Sequence, residues 1–224
     1  MTGTVHTEVR GDPANPTLIL LHGGGAASRT WKHQFSDLAD RFHLVAPDLP
    51  GFGQSPGPLS VEGAAKAVAD LVERYAPVSL CGYSMGAFVA AQVAAERPAG
   101  ISRLVLCAAE IEPAPAGQRR MAFFRSRYGW WLMKAVSDLS TRAALLEMVD
   151  QVELADLSVF LPRIQAPTLV LCGQRDRACA ADALAIADAI PDATALVVPH
   201  AGHLLPVTHA KAFNAIVSGF LAQS

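Results

Sequence analysis

The stretch Val78-Ser79-Leu80-Cys81-Gly82-Tyr83-Ser84-Met85-Gly86-Ala87 constrains the fold of this chain more than any other. A run suited to a buried strand, Val78 to Cys81, passes straight into Gly-x-Ser-x-Gly. The residues after it, Ala87 to Arg97, are Ala-rich and closed by Pro98, as a buried helix would be. A strand that becomes a helix within so few residues must turn sharply at Ser84. Side chains at 82 and 86 would obstruct that turn, so glycine at both positions lets neighbouring chain approach closely. The same turn directs the serine hydroxyl outward.

A buried strand needs partners, and the chain supplies them at regular intervals. Leu18-Ile19-Leu20-Leu21, His43-Leu44-Val45-Ala46, Arg103 to Cys107, Thr168 to Cys172 and Ala195 to Val198 are apolar without clear alternation, the pattern of strands covered on both faces. Val5 to Arg10 alternates well enough for an edge strand. Helical spacing appears between them: Trp31, Phe35 and Leu38 share a face within Ser28 to Asp40, and Val61 to Tyr75 follows Ser60 as a candidate cap. Alternation of strand and helix predicts an α/β fold, a mainly parallel central sheet with helices on both faces, whose ligands bind beyond the carboxyl ends of the strands. A length of 224 residues fits one domain over 1–224.

Composition narrows the partners. A net charge of -2 with 17% charged residues offers no basic surface for nucleic acid, and 51% hydrophobic residues argue against disorder. No apolar run approaches the ~20 residues that cross a bilayer, so no membrane insertion is expected. Met1 to Arg10 lacks the basic-then-apolar order of a signal peptide, and a cytoplasmic location follows as an expectation. Cys81, Cys107 and Cys172 end apolar runs, where a thiol packs as a small hydrophobe, and no disulfide framework or zinc spacing is present. His22-Gly23-Gly24-Gly25 is followed by neither the Lys-Ser/Thr of a phosphate loop nor the spacing of a dinucleotide fingerprint, which makes nucleotide binding the weaker reading of these glycines; no cofactor and no metal are expected.

The stretch from Glu110 to Arg163 breaks the rhythm. It holds no strand-like run but carries Met121-Ala122-Phe123-Phe124 and Tyr128-Gly129-Trp130-Trp131-Leu132-Met133, then an amphipathic segment from Thr141 to Val152. These predict a small helical cap insertion over about 111–163. Its aromatics either line a pocket or pack the insertion onto the main body.

A serine hydroxyl is a weak nucleophile at neutral pH; it needs a base, an acid to orient that base, and donors for the oxyanion that forms. Asp176 follows the Thr168 to Cys172 strand in Gly-Gln-Arg-Asp, and His203 follows the Ala195 to Val198 strand in His-Ala-Gly-His. With Ser84 the order is Ser, Asp, His. Together with His-Gly-Gly-Gly at 22–25 and Asp-Leu-Pro-Gly-Phe-Gly-Gln-Ser at 48–55, this chain resembles the α/β-hydrolases over nearly its whole length.

The resemblance implies Ser84 as nucleophile, His203 as base, Asp176 as orienting acid, and the N–H groups of Gly24 and Met85 as the oxyanion hole. His22 is read as a buttress of its loop, and His200 and His209 as surface residues. Glu110, which ends an earlier strand, is the competing acid. Asp48 is read as holding the Pro50-Gly51 turn, with a substrate-facing role as the alternative. Serine at the turn disfavours the dehalogenases and epoxide hydrolases of this fold, which carry aspartate there.

A serine esterase acting on a small carboxylic ester, thioester or lactone is then expected, with a triad-using lyase, a carbon–carbon bond hydrolase or a triad-bearing receptor as alternatives. The loop at 48–55 is also similar to that of the methyl esterases acting on pimeloyl-carrier-protein, which implies an acyl-carrier-bound substrate as one option. Trp31, Phe123, Phe124 and Trp130 are the candidate substrate-binding residues. A short insertion predicts a shallow apolar pocket favouring acyl groups of about two to six carbons.

Overall fold

Each apolar run becomes a strand of one seven-stranded sheet in the computed structural model, which describes residues 5–111, 115–136 and 141–223. The strands are β1 (Thr7–Arg10), β2 (Thr17–Leu21), β3 (His43–Pro47), β4 (Val78–Tyr83), β5 (Ile101–Cys107), β6 (Thr168–Gly173) and β7 (Ala193–Val198). They lie in the order β1-β3-β2-β4-β5-β6-β7; only β1 runs antiparallel, against β3. The helices are α1 (Lys32–Leu38), α2 (Val61–Tyr75), α3 (Met85–Glu96), α4 (Pro115–Arg125), α5 (Arg127–Val136), α6 (Arg142–Leu154), α7 (Arg177–Ala189), α8 (Leu205–Thr208) and α9 (Ala210–Leu221). They cover both faces of the sheet, with α1 packed on α9, α2 on α3, and α7 on β6 and β7.

Burial follows position in the sheet. Strands β3, β4 and β6 are buried at every residue, which is why their sequences read as unbroken apolar runs, whereas the edge strand β7 leaves Leu196 and Val197 partly in water. Helix α2 starts where Ser60 predicts, its side chain accepting the Gly63 N–H at 3.0 Å. Helix α3 is buried on nearly every side, and its Ala-rich sequence lets it lie close to both the sheet and α2. The expected insertion takes the form of α4, α5 and α6 between β5 and β6, with residues 112–114 and 137–140 outside those described. Thr141 caps α6 by accepting the Ala144 N–H at 3.1 Å.

The helix expected over Ser28 to Asp40 is shorter than its pattern suggests: a single 3₁₀ turn, Ser28–Trp31, precedes α1. Trp31 is fully buried at the end of that turn, its ring 6.1 Å from that of Phe213 on α9, and does not reach the ligand cavity described below. The face it shares with Phe35 and Leu38 is the core face, so Trp31 is a packing residue and not a pocket residue. Its Nε1–H has no hydrogen-bond acceptor among the described residues.

A ring that fills the core while carrying an unmet donor has a specific mutational signature. Trp31→Ala should destabilise by about 3–5 kcal/mol in urea unfolding, as expected for emptying a large core site. Trp31→Phe should cost far less, because it deletes the unsatisfied N–H along with part of the ring. Equal losses in the two variants would mean that the indole nitrogen is satisfied in solution.

Candidate active site

Strand register brings the chemistry together. In the pairing of β2 with β4, Leu21 stands opposite Gly82, so the residues that follow, His22 to Gly25 and Tyr83 to Met85, emerge side by side at the carboxyl edge. Chain connections leave β2 and β4 in opposite directions along the sheet, which opens a crevice between their loops. Ser84 occupies the turn between β4 and α3 with φ 54° and ψ -122°, a conformation rare for any residue with a side chain. It is pinned by its own N–H donating to the Cys107 carbonyl at 2.9 Å and by its carbonyl accepting the Ala87 N–H at 2.8 Å. Met85 is the first residue of α3, so its N–H belongs to the first turn, where backbone donors have no intrahelical acceptor.

Asp176 lies three residues beyond β6 and His203 five beyond β7, and the fold brings them together. Asp176 Oδ2 is 2.5 Å from His203 Nδ1, and His203 Nε2 is 3.0 Å from Ser84 Oγ. With the carboxylate accepting the Nδ1 proton, Nε2 is left with a lone pair facing the serine hydroxyl. Asp176 is buried while His203 remains partly open to the cavity, so the charge partner is shielded and the base stays accessible. Glu110, the competing acid, is also buried and lines the cavity; Cys179 lies between it and the histidine, its Sγ 3.7 Å from Glu110 Oε1 and 3.9 Å from His203 Nδ1.

His22 and Asp48 turn out to be structural. His22 is fully buried; its Nδ1–H donates to the Gly23 carbonyl at 2.8 Å and its Nε2 accepts the Leu49 N–H at 2.9 Å. Asp48 accepts the Ser28 N–H at 2.7 Å on one oxygen and the Gln54 N–H at 2.9 Å on the other, fastening the 48–55 loop to the turn before α1. His200 is exposed and His209 half-buried, and neither lines the cavity.

The crevice widens into a cavity of about 510 Å³ that contains Gly24, Ser84, Met85 and His203 in its wall. That volume is typical of small-molecule sites and larger than a shallow pocket. The difference arises because all three insertion helices contribute: Met121 and Phe124 from α4, Met133 from α5, Met148 and Val152 from α6. Of the four expected aromatics only Phe124 lines it; Phe123 is exposed, Trp130 packs half-buried against the core, and Trp31 lies in the core itself. Sequence reasoning missed the methionines. Four of the five in the chain, Met85, Met121, Met133 and Met148, line the cavity. Met148 sits directly over Gly24, where a Cβ would come within 2.6 Å of its sulfur, so a larger residue at 24 would push the thioether arm aside.

Cys179 is the other residue the sequence did not single out, because it lies inside α7 away from any strand end. Asp176, Cys179 and His203 offer ligand atoms within 4.8 Å of one another, which is a conceivable cation site. A metal on Nδ1 would force the imidazole proton onto Nε2 and remove the lone pair that faces Ser84. Burial raises the thiol pKa of Cys81 and Cys107 and pushes that of Cys172 up to about 11, so these three behave as small core hydrophobes.

The model of the alpha/beta hydrolase family matches residues 18–216. The protein named putative carbamate hydrolase RutD in Shigella flexneri is 26% identical, covering 92% of this chain and 91% of its own. The pimeloyl-[acyl-carrier protein] methyl ester esterase of Neisseria meningitidis is 30% identical, covering 91% and 93%. The enol-lactonase of Burkholderia xenovorans shares the fold, with a TM-score of 0.84 at 23% identity, over 98% of this chain and 96% of that one.

The buried polar groups set a pH dependence. Burial lowers the pKa of His22 from 6.5 to about 4, outweighing the Gly23 carbonyl and the Asp48 charge, which act the other way. Burial alone would raise the pKa of Asp48, but the N–H groups of Gln54 and Ser28, the Ser28 hydroxyl and His22 together hold it below the ordinary value. An unfolded His22 takes up its proton near pH 6.5 and the folded one only near 4, so its contribution is complete above 6.5 and lost as pH falls to about 4. The loss should amount to about 3 kcal/mol of unfolding free energy. Asp48 extends the decline below the usual carboxylate range. Urea unfolding across this window should show the fall, and His22→Asn should flatten its upper part; an unchanged slope in the variant would assign the titration to another group.

Proposed function

Because the chain belongs to the alpha/beta hydrolase family, whose members here are hydrolytic enzymes, we propose that it cleaves a carboxylic ester, thioester or lactone through an acyl-enzyme on Ser84. The observation that carries this reading is the continuous contact from Asp176 through His203 to Ser84, at 2.5 and 3.0 Å. His203 Nε2 takes the hydroxyl proton as Ser84 Oγ bonds to the substrate carbonyl carbon. The resulting oxyanion is held by the N–H groups of Gly24 and Met85 at the positive end of α3. The tetrahedral adduct collapses, and the departing alcohol or thiol takes the proton from Nε2. Water then attacks the acyl carbon, gives its proton to Nε2, and the acid leaves as Ser84 regains that proton.

Asp176 keeps the imidazole in the tautomer that can accept and stabilises its protonated form. The similarity to a methyl esterase of an acyl-carrier protein supports an ester as the reacting group and an acyl-carrier-bound substrate as one form of it. The likeness to RutD, whose name gives a carbamate, supports the same attack on a carbonyl with a different leaving group. A cavity of about 510 Å³ with an apolar, methionine-rich wall suits an acyl group longer than the six carbons expected of a shallow pocket.

A fluorophosphonate should label wild type and leave Ser84→Ala untouched, and Ser84→Ala or His203→Ala should each lower turnover by about 10⁴- to 10⁶-fold. Asp176→Asn should cost about 10²- to 10⁴-fold and Glu110→Gln much less; the reverse ranking would move the acid to Glu110. Labelling of Ser84 with no turnover of any ester would replace the enzyme by a ligand receptor. Among p-nitrophenyl esters, kcat/KM should rise about four-fold per methylene from acetate past hexanoate. A profile that is flat, or that falls beyond butyrate, would contradict the occupied-cavity argument.

A further inference from the structure

The α4–α5 hairpin is apolar on two sides. Its inner side gives Met121, Phe124 and Met133 to the cavity. Its outer side leaves Phe123, Tyr128, Trp131 and Leu132 in water, with Tyr128 and Trp131 each 65% exposed. Tyr128, Trp131 and Leu132 stand at i, i+3 and i+4 and so share one stripe of the helix surface. The two sides are joined by rings: Phe124 to Phe123 at 5.9 Å, Phe123 to Tyr128 at 5.9 Å, and Tyr128 stacked on Trp131 at 6.0 Å with 27° between planes. An unbroken line of four aromatic rings therefore leads from the cavity wall to the outer surface. Single exposed apolar residues are ordinary, but a contiguous group marks a surface that meets something.

Charge says what. Residues 115–136 hold Arg119, Arg120, Arg125, Arg127 and Lys134, five of the 18 Lys and Arg in the chain, and none of its 20 Asp and Glu. The rest of the protein is thus distinctly acidic. Arg125 is engaged by Asp150 and Glu153 of α6 at 2.6 and 2.5 Å, while Arg119, Arg127 and Lys134 are exposed beside the aromatic stripe.

We propose that the outer face of α4–α5 docks on an anionic lipid surface. Tyr128 and Trp131 would sit at headgroup level, Arg119, Arg127 and Lys134 against the lipid phosphates, and an acyl substrate would reach the cavity along the line of rings. Tyr and Trp combine an apolar body with a polar tip, the chemistry of the boundary between headgroup and acyl chain, and Arg and Lys on an amphipathic helix complete it. A second copy docking by the same face would set these cations against each other. No described helix is long and apolar enough to cross a membrane, so the contact is peripheral. Only delivery of substrate rests on the hydrolase reading; docking does not.

Co-sedimentation of the full chain with vesicles of phosphatidylcholine alone, or of phosphatidylcholine with phosphatidylglycerol, tests the proposal. Binding should favour the anionic vesicles and weaken with salt. Each cation should contribute about five-fold to partitioning, so the triple charge reversal R119E/R127E/K134E should lose two orders of magnitude or more. Y128S/W131S should also lose binding, while both variants hydrolyse a soluble acetate ester as wild type does. Ser84→Ala should bind vesicles normally, which separates failure of docking from failure of the catalytic assignment. Brominated lipid should quench Trp131 fluorescence, and Trp131→Phe should abolish that quenching. No preference for anionic vesicles, or unchanged binding by the surface variants, would overturn the proposal. So would self-association, or capture of an acidic acyl-carrier protein without vesicle binding, if lost in the same variants, because each gives this face a different occupant.

Discussion

The candidate site depends on how closely three stretches of backbone approach one another around residues 82 to 86. A Cβ on Gly82 would fall 2.2 Å from the Gly86 carbonyl oxygen, and one on Gly86 would fall 2.4 Å from that of Leu21 and 2.6 Å from that of His22. Real side chains never tolerate such distances, so two glycines decide whether β2, β4 and the start of α3 can converge. Once they do, Ser84 has no alternative to its positive φ, a strain worth about 1–3 kcal/mol that the neighbouring strand and the first turn of α3 offset through hydrogen bonds. Gly24 is delivered beside Ser84 by the same convergence, since it lies three residues beyond Leu21, the partner of Gly82.

Two histidines near this convergence illustrate how surroundings divide roles. His22 has both ring nitrogens occupied by backbone groups and is fully buried, which keeps it neutral and turns it into a rivet between two loops. His203 has one nitrogen held by a carboxylate and the other facing a hydroxyl, with part of the ring open to the cavity. Only the second arrangement can pass a proton back and forth. The rivet matters to it indirectly, because His22 begins the loop that carries Gly24.

Strands were legible in the sequence because burial on both faces leaves an unmistakable apolar run, and the candidate triad was legible because Ser84, Asp176 and His203 all sit just past the ends of such runs. The wall of the cavity was not. Helical periodicity reports that Trp31 shares a face with Phe35 and Leu38 but is blind to whether that face meets the core or a ligand; here it meets Phe213. Phe123 and Trp130 flank Phe124 and the buried Gly129 on a hairpin with apolar groups on both sides, and a pattern of that kind has no inside that sequence can name. Methionine gives even less warning, having neither charge nor ring to suggest a role. Cys179 became visible only when α7 folded back against His203, a juxtaposition that no spacing encodes.

The four methionines around Ser84 give the cavity a property that its volume does not express. An unbranched thioether has three rotatable bonds and no preferred fit, so a wall built from Met85, Met121, Met133 and Met148 is compliant. Compliance trades discrimination for tolerance: guests of different outline can be accommodated by rotating sulfur-bearing arms instead of moving helices. The same softness carries a chemical consequence, because adding one oxygen to a methionine sulfur converts an apolar arm into a polar one. For Met148 that oxygen would arrive directly above Gly24, where α6 meets the loop after β2.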